Sequence, residues 1–96
     1  MAKQTHRPKP PKPEMLPALG HLESLIRGNG DVTLGRAASI ECAATAADED
    51  QCLAMLVRRD GETLVQLLIR LDKAIELAQE GDRFIDEVNN GPDYSI

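Results

Sequence analysis

The stretch Glu62 to Glu80, ETLVQLLIRLDKAIELAQE, limits what this chain can fold into more than any other feature. Leu64, Leu67, Leu68, Leu71, Ala74, Ile75 and Ala78 recur at steps of three and four, the spacing of one helical face. Val65 and Ile69 lie one flank over, so the helix carries more apolar surface than one neighbour needs. Apolar surface is driven out of water, so a small protein must bury such a helix against itself or against a partner.

The rest of the chain is read around that helix. Glu14 to Arg27 predicts a first helix, with Met15, Leu16, Leu19, Leu22, Leu25 and Ile26 along one side. Pro17 fits near its start, where its missing N–H costs nothing. Gly28-Asn29-Gly30-Asp31 stops it, because glycine and Asn adopt left-handed conformations cheaply. Asp31 or Thr33 then caps the next helix. Residues 36–59 predict a second helix, continuous or lightly kinked. Its first half is rich in Ala, with Ile40, Ala43, Ala44 and Ala47 on one face, small enough to let another helix approach closely. Leu53 and Leu56 point roughly to the opposite side. A break near Asp48, with Gln51 three residues on as its capping partner, is the alternative. Continuity is favoured because no Gly or Pro forces a stop, and Asp48, Glu49 and Asp50 can face water.

Arg58-Arg59-Asp60-Gly61-Glu62-Thr63 is the clearest punctuation: basic residues suit a helix C-terminus and Asp-Gly suits a turn. A β-hairpin around Asp60-Gly61, pairing 52–59 with 62–69, is the rival reading. The helical spacing that follows outlasts a usual strand, and Ala, Gln, Lys and Glu are poor strand residues. Gly81-Asp82 ends the long helix, and Arg83 to Asn89 predicts a short final one, with Phe84, Ile85 and Val88 folding back. The expected fold is all-α. It is a small antiparallel bundle of three main helices plus a short C-terminal helix, with 36–59 and 62–80 as its central hairpin. Residues 14–90 form the single helical domain and 91–96 a frayed end.

Residues 1–13, MAKQTHRPKPPKP, hold four of the six prolines and read as a flexible or extended basic tail. Charge divides at the same point. The tail has four bases and no acid, while the remainder has seven bases and sixteen acids, a net of −9. An acidic body repels phosphate backbones, so nucleic acid is not the expected partner of the folded part. With only Phe84 and Tyr94 as aromatics, it also lacks a platform for stacking bases. The longest apolar runs are a few residues, far short of the ~20 that span a membrane. No apolar stretch follows the N-terminal bases, so a secretory signal is not expected. Cys42 and Cys52, set on helical segments, would lie ~15 Å apart at ~1.5 Å per residue, beyond disulfide reach. They read as two small buried thiols of a reducing cytoplasm.

Chemistry-bearing patterns are sparse. His6 lies in the tail, and His21 has no Cys, His, Asp or Glu at a recognised ligand spacing; Glu23 is on a different helical face. Ser24, Ser39, Thr45, Thr63, Cys42 and Cys52 are possible nucleophiles, but none sits in an elbow motif beside a base. Asp48-Glu49-Asp50 lacks the spacing of a calcium loop. The expectation is no catalytic, cofactor-binding or metal site.

Residues 53–75, LAMLVRRDGETLVQLLIRLDKAI, with FIDEVN at 84–89, resemble short uncharacterised helical proteins of proteobacterial chromosomes and mobile elements. No activity comes with that resemblance, which implies a bacterial, cytoplasmic origin. The expected function is therefore non-enzymatic: an accessory or regulatory protein that binds other protein and self-associates, as a dimer, through apolar helix faces. Leu53, Leu56, Val65 and Ile69 are the expected contact residues, with Arg58 and Arg59 able to clasp an acidic partner or a phosphate. Two alternatives are a nucleic-acid-associated regulator using the basic tail, and an acidic mimic that blocks a basic site on another protein.

Overall fold

The computed structural model describes residues 19–91. The basic tail, the first turn of the predicted N-terminal helix and residues 92–96 lie outside them. Within them the order is α1 (Gly20–Arg27), β1 (Asp31–Ala37), β2 (Ile40–Ala47), β3 (Cys52–Val57), α2 (Leu64–Gly81), β4 (Ile85–Asp86) and α3 (Glu87–Asn90). The strands form one sheet in the order β1-β2-β3-β4. The first three make an antiparallel meander, and β4 returns parallel to β3 after the α2 crossover.

This overturns the all-α expectation: the molecule is α+β, and no helical bundle forms. Helices do form at Gly20–Arg27 and Leu64–Gly81, inside or within a residue of the segments whose spacing predicts them, although α1 starts only after a non-helical Leu19; the segment between them is not helical. Residues 36–59 are neither one helix nor two, but part of β1, all of β2 and β3, and their turns. Asp31 and Thr33 lie within β1 rather than capping a helix. The rival hairpin at Asp60-Gly61 fails too, because its second arm is α2. The predicted final helix is divided, with Ile85 in β4 and only Glu87–Asn90 helical.

The register shows why the strands hold. Val32, Ala46, Ala54 and Ile85 lie side by side across all four strands, and Leu34, Ala44 and Leu56 form the next row. Both rows point at the helices. Ala44, Ala46, Ala54 and Leu56 are buried there with Leu67, Leu71, Ala74, Ile75 and Ala78 of α2 and Leu22 and Leu25 of α1. Ala favours helices by intrinsic propensity, and that preference is outweighed here. Alanines on β2 let the Leu67, Leu71 and Ile75 side chains settle directly on the sheet, and each large aliphatic so buried contributes about 1.5–3 kcal/mol. The small residues do favour close approach, but of a helix onto a sheet.

Local chemistry sets the boundaries. Asp48 does not face water from mid-helix: its Oδ1 accepts from the Asp50 and Gln51 amides at 2.8 Å each, closing the β2–β3 turn. Ala46 faces Ala54 while Ala47 faces Cys52, so Leu53 is one residue too many on β3. That bulge lets Leu53 and Ala54, adjacent in sequence, both enter the core. Thr63 caps α2 in a capping box: its Oγ1 accepts from the Gln66 amide at 3.0 Å and Gln66 Oε1 accepts from the Thr63 amide at 2.8 Å. Past α1, Gly30 donates to Leu25 O at 2.8 Å, with Asn29 left-handed before it. A Cβ at Gly30 would lie 2.7 Å from that same oxygen and run into the Leu25 side chain.

Candidate functional site

Three places draw functional groups together. The first is the outer side of α2. Its inner side is sealed, while Leu64, Val65 and Ile69 are 45, 53 and 46% exposed. Val65 and Ile69 are four residues apart and so adjacent on the helix surface. Beside the start of α2, among the described residues, an open groove of about 840 Å³ runs between the β1–β2 hairpin and the β3–α2 loop. Arg36, Ile40, Cys42, Arg58, Asp60 and Thr63 are among its lining. Arg58 holds its Nε against Glu62 O at 2.8 Å and keeps the rest of its guanidinium at the exposed rim.

The second is a buried ion network behind that groove. Arg70 of α2 is 8% exposed, yet it is charged and well supplied with acceptors. It donates through Nε and Nη2 to the two Glu62 oxygens at 2.7 and 3.0 Å, through Nη1 to Glu87 Oε2 at 2.9 Å, and through Nη2 to Val57 O at 2.9 Å. Glu87 in turn accepts from the Val57 amide at 2.9 Å, and Glu62 from the Arg59 amide at 2.9 Å. The purpose is structural. β4 pairs with β3 only at Ala54 and Met55. Two residues beyond Met55, on the same edge of β3, the backbone donor and acceptor of Val57 would be left to themselves, and two side chains satisfy them instead. The Arg70 hydrogen bonds, against the opposing pull of burial, hold Glu62 below the ordinary carboxylate range.

The third joins α1 to α2. No side chain of α1 caps its own N-terminus. Asp72, from the buried side of α2, does so: its Oδ1 accepts from the Leu22 amide at 2.8 Å. Its Oδ2 lies 3.2 Å from His21 Nδ1, and the other ring nitrogen lies 3.1 Å from Glu80 Oε2. Glu76 completes the group. The Glu80 carboxylate, then Asp72, raise His21 above its ordinary value despite partial desolvation.

The six expected contact residues therefore separate. Leu53 and Leu56 are 2 and 0% exposed within the core and present no surface to a partner. Val65 and Ile69 stand outside. Arg58 lies on the groove rim. Arg59 turns inward, with its guanidinium 3.5 Å from Glu87. Cys42 is half-buried, but Cys52 is exposed, which corrects the expectation of two buried thiols; both are free. His21 does have acidic partners, more than fifty residues away in sequence. The signal available for them was the ladder Asp72, Glu76, Glu80, whose steps of four put three acids on one helical face. Nothing in the sequence tied His21 to that face. No protein-family model, curated protein or solved structure matches this chain.

Proposed function

We propose that this chain is a non-enzymatic accessory protein of the bacterial cytoplasm that works by binding protein, and that it pairs first with a second copy of itself through the outer face of α2. The observation that carries the reading is the exposure of Leu64, Val65 and Ile69 on a helix whose opposite side is fully occupied. In a twofold pairing the same patch serves both copies. Three half-exposed side chains fall short of the ~800 Å² per partner that a stable interface needs. The groove rim supplies the remainder, with Arg58 and Asp60 as its polar margin.

The sheet edges are poorer docking strands. The register of β1 slips between Gly35 and Ala37, where Arg36 stands, and β4 is two residues long. A bulge, a charge and shortness each discourage strand addition. Among the described residues, no helix is long and apolar enough to cross a membrane. The free thiols Cys42 and Cys52 suit a reducing compartment.

Sedimentation equilibrium tests the pairing. The wild-type chain is expected to be dimeric at tens of micromolar, and Val65→Glu combined with Ile69→Lys monomeric. That double substitution creates a Glu–Lys pair four residues apart, which favours the isolated helix, so the variant should keep the wild-type circular dichroism spectrum while its thermal midpoint loses the concentration dependence of a dimer. A wild-type monomer at high micromolar concentration, or a dimer indifferent to the double substitution, would refute the proposal.

A further inference from the structure

We propose that His21, Glu76 and Glu80 form a site for a divalent transition-metal ion of the zinc class, at the seam between α1 and α2, with Asp72 orienting the imidazole from behind.

One nitrogen and two carboxylate ligands come from two elements that only the fold brings together, and their ligating atoms all lie within 4.8 Å of one another. His21 Nε2 and Glu80 Oε2 are 3.1 Å apart. Two ligands on one tetrahedral ion at bond lengths of about 2.0–2.2 Å are separated by roughly 3.3–3.6 Å, so this pair need open by only a few tenths of an ångström. The remaining carboxylate closes in by a rotamer adjustment on a half-exposed side chain.

The other ring nitrogen is engaged as metal-binding histidines require. Nδ1 faces Asp72 Oδ2, and that carboxylate is itself fixed by the Leu22 amide at 2.8 Å. A buried carboxylate that sets the tautomer and direction of an imidazole is the usual outer partner of a histidine ligand. His21 is thus held with Nε2 toward Glu80 in the fold itself.

Charge points the same way. Asp72, Glu76 and Glu80 stand on one side of α2, and like charges four residues apart repel. His21 lies against Asp72 and Glu80, and Lys73 lies 3.2 Å from Glu76. A divalent ion would offset what these leave. Mixed imidazole and carboxylate donors, with open positions for water, suit zinc better than magnesium or calcium. The exposed Glu80 side chain leaves a path for entry.

Isothermal titration of the metal-stripped full chain with zinc chloride, with its free thiols alkylated, tests the site; magnesium chloride serves as the comparison. One zinc per chain is expected, bound at least tenfold more tightly than magnesium, with a raised thermal midpoint. Glu80→Gln and His21→Gln should each weaken zinc at least tenfold. Because Glu80 is exposed, Glu80→Gln should keep its metal-free circular dichroism spectrum, which separates ligand loss from misfolding. Cobalt substitution adds a second readout: its visible absorption should appear with wild type and fade in His21→Gln. Zinc binding that the two variants leave intact, binding abolished by alkylation alone, or no binding below millimolar concentration would each overturn the site. None of these outcomes bears on whether α2 pairs with a second copy.

Discussion

Arg70 is the residue on which most of the polar interior depends. Its guanidinium faces two carboxylates and a backbone carbonyl in a place with almost no water. A buried ion pair is often no better than a well-packed apolar cluster, but removing one partner leaves the other charge stranded. Arg70→Leu should therefore cost about 3–5 kcal/mol in urea unfolding at neutral pH. A loss under about 1 kcal/mol would mean that the network behaves as a surface ion pair and not as a buried one. Adding Glu62→Gln and Glu87→Gln to Arg70→Leu should recover part of the loss, because the stranded charges go with their partner. Sequence reasoning does not reach this residue. Arg70 sits between Ile69 and Leu71 at the border of the apolar face, where long bases commonly snorkel to water. What draws it inward is Val57, a strand residue thirteen positions earlier, and the pairing of Val57 with Arg70 exists only after folding.

At the scale of elements, the helices were legible and the strands were not. The period of α2 is carried by many residues over more than four turns, so the helix at Leu64–Gly81 lies within two residues of the 62–80 that the spacing predicts; the capping pair Thr63 and Gln66 that sets its start is visible only in the structure. Leu64 is the exception, lying outside rather than on the buried face. In β2, from Cys42 to Ala47, the residues are four alanines with one Cys and one Thr, so a period of two leaves almost no contrast beyond Glu41. The β1–β2 turn is equally silent. It runs through Ala38-Ser39 with Ala38 at φ 52, where a hairpin usually announces itself with Asn-Gly or Asp-Gly. A strand built of alanines makes a sharp demand on volume. Ala44 is completely buried between Leu34 and Leu56 on the sheet and the α2 side chains above. Ala44→Leu should cost at least about 1–3 kcal/mol in thermal or urea unfolding through overpacking. The same change in an Ala-rich helix of a loose bundle would be mild. An Ala44→Leu chain as stable as wild type would argue against a helix lying this close to the strand.

For the molecule as a whole, the same few contacts that finish the sheet also fasten its layers together. Glu62 lies in the loop between β3 and α2, Arg70 on α2, Glu87 on α3 and Val57 at the end of β3, so four segments meet at one cluster. Acid should loosen it in a definite direction. Glu62 has its pKa lowered from 4.5 in the folded chain, chiefly by the Arg70 hydrogen bond. The folded state therefore binds that proton less readily than the unfolded state does. Its contribution is fully present above about pH 4.5 and is lost as the pH falls through the folded value below it. Urea midpoints measured from pH 7 down to pH 3 should rise slightly toward pH 6 as His21, whose pKa is raised from 6.5, takes up its proton more readily in the folded chain, and should fall below about pH 5. In Glu62→Gln the carboxylate is gone, so the neutral-pH midpoint should drop and the fall below pH 4.5 should become shallower. Parallel acid limbs in the two proteins would mean that other carboxylates govern acid unfolding. A fall beginning well above pH 5 would have to come from another group, because the loss from Glu62 starts only where the unfolded carboxyl begins to bind protons, near its ordinary value of 4.5.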